Sequence, residues 1–333
     1  MAVQITIIGL GQIGASIGLA LGPYKEAIKR VGHDKKPGIA KEAQAKGAVD
    51  EVHLNLPASV RGSDLVVLAV PLNELRETLE IIAPDLKEDA LVVDTAPLKE
   101  IVANWVKDLL PAGRFHVGLV PSIGPDHLLD LGAGPRYARA DLFKEGVFLV
   151  CPSSGATEKA VKKATDLLEL LGASPMFADP IEADGIMAAL HVLPQLLSVG
   201  FLEATVGQPG WKEARKLAGR PFAMTAAAAL YHDQAEALRE AVLNNRVNVL
   251  RVLDNAIAAL QNLRGNLDKA DGELAERISA AYTGGVTWLE ERLRADWLSE
   301  DIEEIKVPSF GERMQQTFLG SLMAPNLDKK KKK

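Results

Sequence analysis

A glycine-rich segment near the start of the chain has the residue types and spacing of a dinucleotide-binding turn. Gly9, Gly11 and Gly14 stand in the sequence Gly-Leu-Gly-Gln-Ile-Gly, directly after the apolar, β-branched run Val3–Ile8. Apolar and small residues then recur at helical spacing through Leu21. The first glycine permits a tight turn, the second lets a pyrophosphate approach the backbone, and the third lets the helix pack closely on the strand. The pattern predicts a cofactor site formed by Gly9, Gly11, Gln12, Ile13 and Gly14.

An acidic residue lies where such a site needs one. Asp34 closes a second apolar segment, Ile28–His33, and stands twenty residues beyond Gly14. A carboxylate at this place binds the ribose hydroxyls of NAD. Lys35 and Lys36 follow it and could instead neutralise the additional phosphate of NADP. The sequence therefore predicts NAD or NADP as the cofactor and leaves the choice between them open.

The composition of the chain indicates how many domains it has and which kinds of partner it can bind. The chain has 333 residues, of which 47% are hydrophobic and 25% are charged, and this suggests two domains. Without the five lysines at 329–333, the formal net charge of −6 becomes −11. An acidic body argues against a nucleic-acid partner, and we expect the lysine-rich end to be disordered. The single cysteine, Cys151, permits no intrachain disulfide, which suits the cytoplasm.

We expect no membrane partner and no metal site. The most apolar long segment, 186–202, is interrupted by His191, Pro194 and Gln195. No cluster of His, Cys or carboxylate residues has the spacing of metal ligands, and Cys151 is expected to be a buried, inert thiol.

Alternating strand and helix patterns continue to about residue 178. Further strands are predicted at 65–70, 91–95, 115–120, 147–150 and 174–177, with helices at 37–46, 72–82, 98–110 and 156–171. This alternation predicts a doubly wound parallel sheet of the Rossmann type. Val70 and Thr95 close two of these strands, at the sheet edge where such folds bind their ligands, so we add them to the cofactor site.

Beyond Asp179-Pro180, no segment has the residue pattern of a strand, and apolar residues recur at helical spacing. The segments 182–206, 212–217, 221–244, 247–263 and 275–295 are predicted helices. The first of these is apolar nearly all round, so we expect it to be buried within its domain or between subunits. We therefore predict a dinucleotide-binding domain over 1–179, an all-α substrate and dimerisation domain over 180–310, and a tail over 311–333.

Several short segments of the sequence resemble those of the prephenate and arogenate dehydrogenase family. The resemblance lies in the glycine-rich opening through Leu21 and in several later segments: 31–34 (VGHD), 69–72 (AVPL), 92–95 (VVDT) with Lys99 after it, 138–143 (ARADLF), 210–213 (GWKE) and 216–218 (KLA). It implies NAD(P)-dependent oxidation of a ring alcohol with loss of carbon dioxide on the way to tyrosine. It also implies a homodimer joined through the helical domains.

The chain departs from the family pattern at several polar positions. Pro97 stands where the family has a serine, Val120 replaces the histidine of a His-Pro pair, and Gln195 replaces a second histidine. The family's substrate-binding arginine corresponds to Lys216, with Arg215 adjacent, and its glutamate after the His-Pro loop corresponds to Asp126. The segment 122–137 is longer than in the family pattern. The cofactor half is thus retained, whereas the usual proton-transfer histidine is missing.

Two other histidines are candidates for the base that hydride transfer from an alcohol requires. His191 lies one helical turn before Gln195, so both side chains face the same side of the helix; the alternative role is that of a core histidine. His127 lies in a loop beside the expected nicotinamide edge, where Asp126 could orient it, and otherwise it is a solvated loop residue. His116 lies inside a strand and is expected to be structural.

A basic cluster on the segment 212–217 suits an anionic small molecule. Lys212 and Lys216 are four residues apart and would share one helix face, and the resemblance assigns Lys216 to the substrate carboxylate. The favoured hypothesis is an NAD(P)-dependent dehydrogenase acting on prephenate or arogenate. The alternatives are a related dehydrogenase or reductase for another anionic hydroxy acid or imine, and a non-catalytic NAD(P)-binding sensor.

Overall fold

The computed structural model describes residues 2–130, 132–231, 234–269 and 273–295, and an eight-stranded sheet forms its centre. The strands are β1 Val3–Ile8, β2 Ile28–His33, β3 Glu51–Val52, β4 Leu65–Leu68, β5 Leu91–Asp94, β6 Phe115–Pro121, β7 Val147–Pro152 and β8 Ser174–Phe177. Their order is β3-β2-β1-β4-β5-β6-β7-β8. The chain therefore has the predicted Rossmann-type α/β fold, with its reversal of strand order between β1 and β4.

Helices cover both faces of this sheet. They are α1 Gln12–Ala20, α2 Pro37–Ala45, α3 Leu56–Val60, α4 Leu72–Ile82, α5 Glu100–Leu109 and α6 Glu158–Leu170. One buried cluster lies on the face that carries α1, α2 and α6, and a second lies on the face that carries α3, α4 and α5. Strands buried on both faces explain the continuous apolar runs in the sequence.

The sheet differs from the sequence prediction at its far edge. β7 pairs with β6 in the antiparallel direction, and β8 continues parallel to β7, so these two strands run against the other six. Side-chain periodicity is the same in both directions, and the pattern of apolar residues could not reveal this reversal. The two-residue strand β3 also lacks a recognisable pattern.

All described secondary structure after β8 is helical. The helices are α7 Pro180–Met187, α8 Leu193–Thr205, α9 Trp211–Ala214, α10 Arg220–Tyr231, α11 Ala235–Asn244, α12 Arg246–Lys269 and α13 Glu273–Arg294. The predicted helix 212–217 is shorter than expected, because only four residues are α-helical before the chain turns. The predicted helix 221–244 is in fact two helices, and α11 begins after Gln234, whose backbone is extended. The predicted domain end at 310 and the whole tail lie outside the described residues.

The helix pair α7 and α8 is joined by a π-helical turn, Ala188–Val192, and the three form one continuous rod. Contrary to the sequence expectation, this rod, Pro180–Thr205, is long and apolar enough to cross a membrane by length and composition alone, with a mean hydropathy of 1.7 in its most apolar window. Only 22% of that window is buried, so the expected burial of this helix within its own domain is not seen in the described residues. Here Gln195 and Ser198 are buried in the protein, and Ser198 Oγ accepts a hydrogen bond from the backbone of Ala229 on α10.

Candidate functional site

The glycine turn between β1 and α1 has the shape that a bound pyrophosphate needs. Gly9 has φ of +88°, and a Cβ atom there would lie 2.3 Å from the carbonyl oxygen of Ala69. A Cβ on Gly14 would lie 1.9 Å from the carbonyl oxygen of Gly9, whereas a Cβ on Gly11 would meet nothing within 4 Å. The outer two glycines are thus required by the protein's own packing, and the middle one leaves open space where a ligand can approach.

The amino end of α1 is available to an anion. Its N-cap residue is Gly11, which has no side chain to cap the helix, and the half-buried Gln12 and Ile13 form its first turn. The first amide groups of an α-helix have no acceptor inside the helix, and the helix dipole favours negative charge there. The residues therefore fit a dinucleotide whose phosphates lie against this turn.

Asp34 is fixed beside the glycine turn at the end of β2. Its Oδ2 accepts a hydrogen bond from the backbone N–H of Leu10 at 2.9 Å, and its Oδ1 accepts one from the backbone N–H of Lys36 at 2.8 Å. The carboxylate is thereby held against the turn, where an adenosine ribose would present its hydroxyls.

The other two predicted cofactor residues lie at neighbouring strand ends. Val70 follows β4, and its Cγ1 would lie 3.1 Å from a Cβ placed on Gly9. Thr95 follows β5, and its backbone N–H donates to the carbonyl of Leu68 at 3.0 Å. The structure therefore places the predicted cofactor residues along one edge of the sheet, across β2, β1, β4 and β5.

A buried ionic network lies just below this edge. Lys99 Nζ donates to Asp94 Oδ1 at 2.6 Å, and both side chains are almost fully buried. His116 Nε2 contacts Asp94 Oδ2 at 2.9 Å, and its Nδ1 lies 2.7 Å from Ser153 Oγ. Burial alone would raise the pKa of the Asp94 carboxyl, but the Lys99 ammonium and the hydrogen bond from His116 outweigh it and hold that pKa below its ordinary value. His116 is thus buried and hydrogen-bonded, in the structural setting expected for it.

The position that lacks the family's histidine is apolar and closed. Val120 is buried in a small cluster with Leu149, Cys151 and Ala183, against which Met187 packs. Burial raises the pKa of the Cys151 thiol to about 11, which matches an inert cysteine. Ala183 and Met187 of α7 therefore take part in the apolar cluster that holds Val120.

The same rod is anchored to the nucleotide-binding half by Asp184. Its Oδ1 accepts a hydrogen bond from the backbone N–H of Lys99 at 2.6 Å, at the amino end of α5. Burial raises the pKa of the Asp184 carboxyl, and the backbone donors of Lys99 and Glu100 oppose that rise. Sequence reasoning missed Asp184, because a helix-capping acid from a distant segment has no local signature.

His191 lies in the π-helical turn, seven residues after Asp184. It follows Met187 by four residues, so it continues the line of the rod that packs on Val120. Gln195 Nε2 donates to the carbonyl oxygen of His191 at 3.0 Å, and Gln195 is buried whereas His191 is half-exposed. The neighbouring Val192 belongs to the same buried cluster as Ala96, with Val70 packed against that cluster. Val192 is thus part of the buried cluster on the face of the sheet that carries α3, α4 and α5.

His127 lies between two carboxylates of its own loop. Its Nδ1 is 3.2 Å from Asp130 Oδ2 and its Nε2 is 3.1 Å from Asp141 Oδ1, although the second contact lacks the angle of a hydrogen bond. Asp126, the residue expected to orient it, is exposed and has neither of these contacts. His127 therefore joins two parts of the long β6–β7 connection.

The basic residues predicted to bind the substrate are on the surface. Lys212, Arg215 and Lys216 are all exposed, and Arg215 Nε donates to the carbonyl oxygen of Lys212. Trp211 fixes the start of α9, because its ring packs on Phe222 of α10 with centroids 5.4 Å apart. Lys216 lies beyond the end of α9, in a turn rather than on the predicted helix. Within the described residues, no group of three or more His, Cys, Asp or Glu could hold a metal ion.

The chain is similar to known dehydrogenases. Residues 17–176 match the family model "Prephenate dehydrogenase, nucleotide-binding domain". A probable prephenate dehydrogenase of Streptomyces niveus is 30% identical over 289 residues, which cover 84% of this chain and 75% of the relative. A cyclohexadienyl dehydrogenase of Zymomonas mobilis is 28% identical over 273 residues, with 81% and 90% coverage. The crystal structure of prephenate dehydrogenase from A. aeolicus with hydroxyphenyl propionate and NAD⁺ superposes with a TM-score of 0.74 at 20% identity, covering 86% of this chain and 98% of that one.

Proposed function

The chain belongs to the prephenate dehydrogenase family, and from this premise we propose that it oxidises and decarboxylates prephenate or arogenate in tyrosine biosynthesis. It is an NAD(P)-dependent dehydrogenase, and the oxidised cofactor accepts the hydride from the ring carbon. The residues of the chain must bind the substrate carboxylate and take the hydroxyl proton as the hydride leaves.

We assign the proton acceptor to His191. The observation that carries this assignment is the course of the rod α7–α8: Met187 packs on the cluster of Val120, and His191 lies one turn farther along the same rod. A base on this rod can thus serve the region where the family's histidine is missing. π-Helical turns are frequent at functional sites, because they re-aim the side chains within them. Gln195, one turn on, donates a hydrogen bond to the backbone carbonyl of His191, and we propose that it borders the substrate.

Substrate binding is proposed for Lys216 and Lys212, whose ammonium groups suit an anionic molecule. Asp126, on the loop after β6, is proposed as a further substrate-binding residue. His127 remains the second candidate for the base. Its two carboxylate neighbours, Asp130 and Asp141, suit a residue that closes the loop better than one that faces substrate.

A single kinetic series tests the assignment. Reduction of NAD⁺ and NADP⁺ is followed with prephenate and with arogenate in wild type, His191→Gln and His127→Gln. Loss of a general base should lower kcat by about 100-fold or more in His191→Gln, since positioned bases contribute 10² to 10⁴. His127→Gln should stay within about threefold of wild type, because the contacts of that histidine with Asp130 and Asp141 suit a role in closing the loop.

Two outcomes would contradict the proposal. A His191→Gln variant with unchanged kcat would remove that residue from the chemistry. Intact cofactor binding with no turnover of either acid would favour one of the alternatives, a dehydrogenase for a different anionic substrate or a non-catalytic NAD(P)-binding sensor.

We also propose a homodimer in the cytoplasm. On α12, Leu250, Ile257, Leu260 and Leu267 are exposed, and their separations of seven, three and seven residues place them along one stripe. On α13, Ile278, Tyr282 and Val286 repeat every four residues and are also exposed. Apolar stripes of this length are typical of surfaces that pair with another helix, and a second copy of the chain offers the same two stripes.

A further inference from the structure

A surface ion pair joins the two segments that flank the glycine turn. Lys35 follows the end of β2 by two residues, and its Nζ contacts Glu74 Oε1 in the first turn of α4, the helix after β4. In the sheet, β1 lies between β2 and β4. The pair therefore spans the edge of the sheet at which β1 ends in Gly9.

This edge is where the adenosine half of the cofactor must lie. Asp34 is held beside the glycine turn by the backbone amides of Leu10 and Lys36. Its carboxylate suits the free 2′-hydroxyl of NAD and repels the 2′-phosphate of NADP. A protein that accepts NADP needs a cation here, and Lys35 and Lys36 are the cations that the chain places directly after β2.

We propose that Glu74 withholds Lys35 from the 2′-phosphate and thereby makes the enzyme select NAD over NADP. The inference rests on the dinucleotide site and not on the identity of the substrate. Glu74 becomes a specificity-determining residue although it lies 39 positions from Lys35 and outside the glycine motif.

The side chain of Glu74 is held more firmly than that of Lys35, so the acid determines where the ion pair forms. The Glu74 side chain is 21% exposed, and Leu72 and Leu75 bury the first turn of its helix in the core. The Lys35 side chain is 60% exposed on a flexible stem. The acid is therefore the fixed partner, and the lysine is drawn to it and away from the ribose of the cofactor.

Calorimetric titration with NAD⁺ and with NADP⁺ tests the proposal without any turnover. Wild type should bind NAD⁺ at least about tenfold more tightly than NADP⁺. Glu74→Gln frees Lys35, so the affinity for NADP⁺ should rise about threefold to fivefold, the range expected for one exposed ion pair, while that for NAD⁺ changes less than about twofold. A melting curve of each variant verifies that it is folded.

Two double variants separate Lys35 from a general loss of negative charge. Lys35→Met with Glu74→Gln should abolish the gain in NADP⁺ affinity, whereas Lys36→Met with Glu74→Gln should keep it. The proposal is overturned if Glu74→Gln leaves the ratio of the two dissociation constants unchanged, if the gain survives loss of Lys35, or if wild type prefers NADP⁺. Failure to oxidise prephenate or arogenate would leave all these constants measurable, so the two proposals can fail separately.

Discussion

Replacing Lys99 by methionine should destabilise the fold strongly, because it leaves a buried carboxylate without its cation. The Lys99 and Asp94 side chains are 1% and 0% exposed, and their charged atoms lie 2.6 Å apart. Removal of one member of a buried pair costs about 3–5 kcal/mol. In Lys99→Met, Asp94 keeps His116 and the backbone N–H of Ala96 as donors. We therefore expect a loss near the lower end, about 3 kcal/mol.

The loss of stability in Lys99→Met should be smaller at acidic pH than at alkaline pH. The lowered pKa of Asp94 means that its pairing stabilises the wild-type fold above the ordinary carboxyl pKa of about 4, and that this contribution is lost as pH falls through the lowered pKa. In Lys99→Met, the cation that lowers the pKa of Asp94 is gone whereas burial still raises that pKa, so the carboxyl group takes up a proton more readily as the pH falls. The free-energy gap to wild type should therefore be smaller at about pH 5.5 than at about pH 8.5.

Urea unfolding followed by circular dichroism measures both effects. Lys107→Met is the matched control, since Lys107 lies on the same helix α5 but is exposed, and it should stay within about 0.5 kcal/mol of wild type. Adding Asp94→Asn to Lys99→Met should recover part of the loss, because no buried charge then remains unpaired. A Lys99→Met protein within about 1 kcal/mol of wild type at neutral pH would refute the reasoning.

The remaining predictions concern the glycine turn and the oligomer. Gly14→Ala forces a Cβ to within 1.9 Å of the Gly9 carbonyl oxygen, so both the melting temperature and the affinity for NAD⁺ should fall. Gly11→Ala meets no protein atom, so calorimetry should show weaker binding of NAD⁺ at an unchanged melting temperature; an equal loss of stability in both variants would contradict this assignment. Light scattering should give twice the chain mass of 35.7 kDa for wild type and for Asn255→Glu, whereas Ile257→Glu should shift the mass toward that of the monomer. A wild-type monomer would argue against the pairing of the α12 and α13 stripes.

Local patterns in the sequence were sufficient for the glycine turn and for several of the elements around it. β1, β2 and α4 begin and end where the apolar runs predict them, because these strands are buried on both faces and the helix has one apolar side. The roles of Gly9 and Gly14 were also predictable, because the need for glycine at these positions arises from the local geometry of the turn. The helical half was less predictable, as the division between α10 and α11 shows. Apolar periodicity predicted the end of α11 at Asn244 but did not mark the end of α10 at Tyr231.

The direction of β7 and the partners of the polar groups were decided by tertiary structure. Asp94 meets His116 across 22 positions, and Lys35 meets Glu74 across 39, and no local pattern encodes such contacts. The sequence determined that the chain builds a dinucleotide turn and lacks a histidine at position 120. Only the folded chain decided that α7 packs on the cluster of Val120, because the course of a long helix depends on what its faces pack against rather than on its own periodicity.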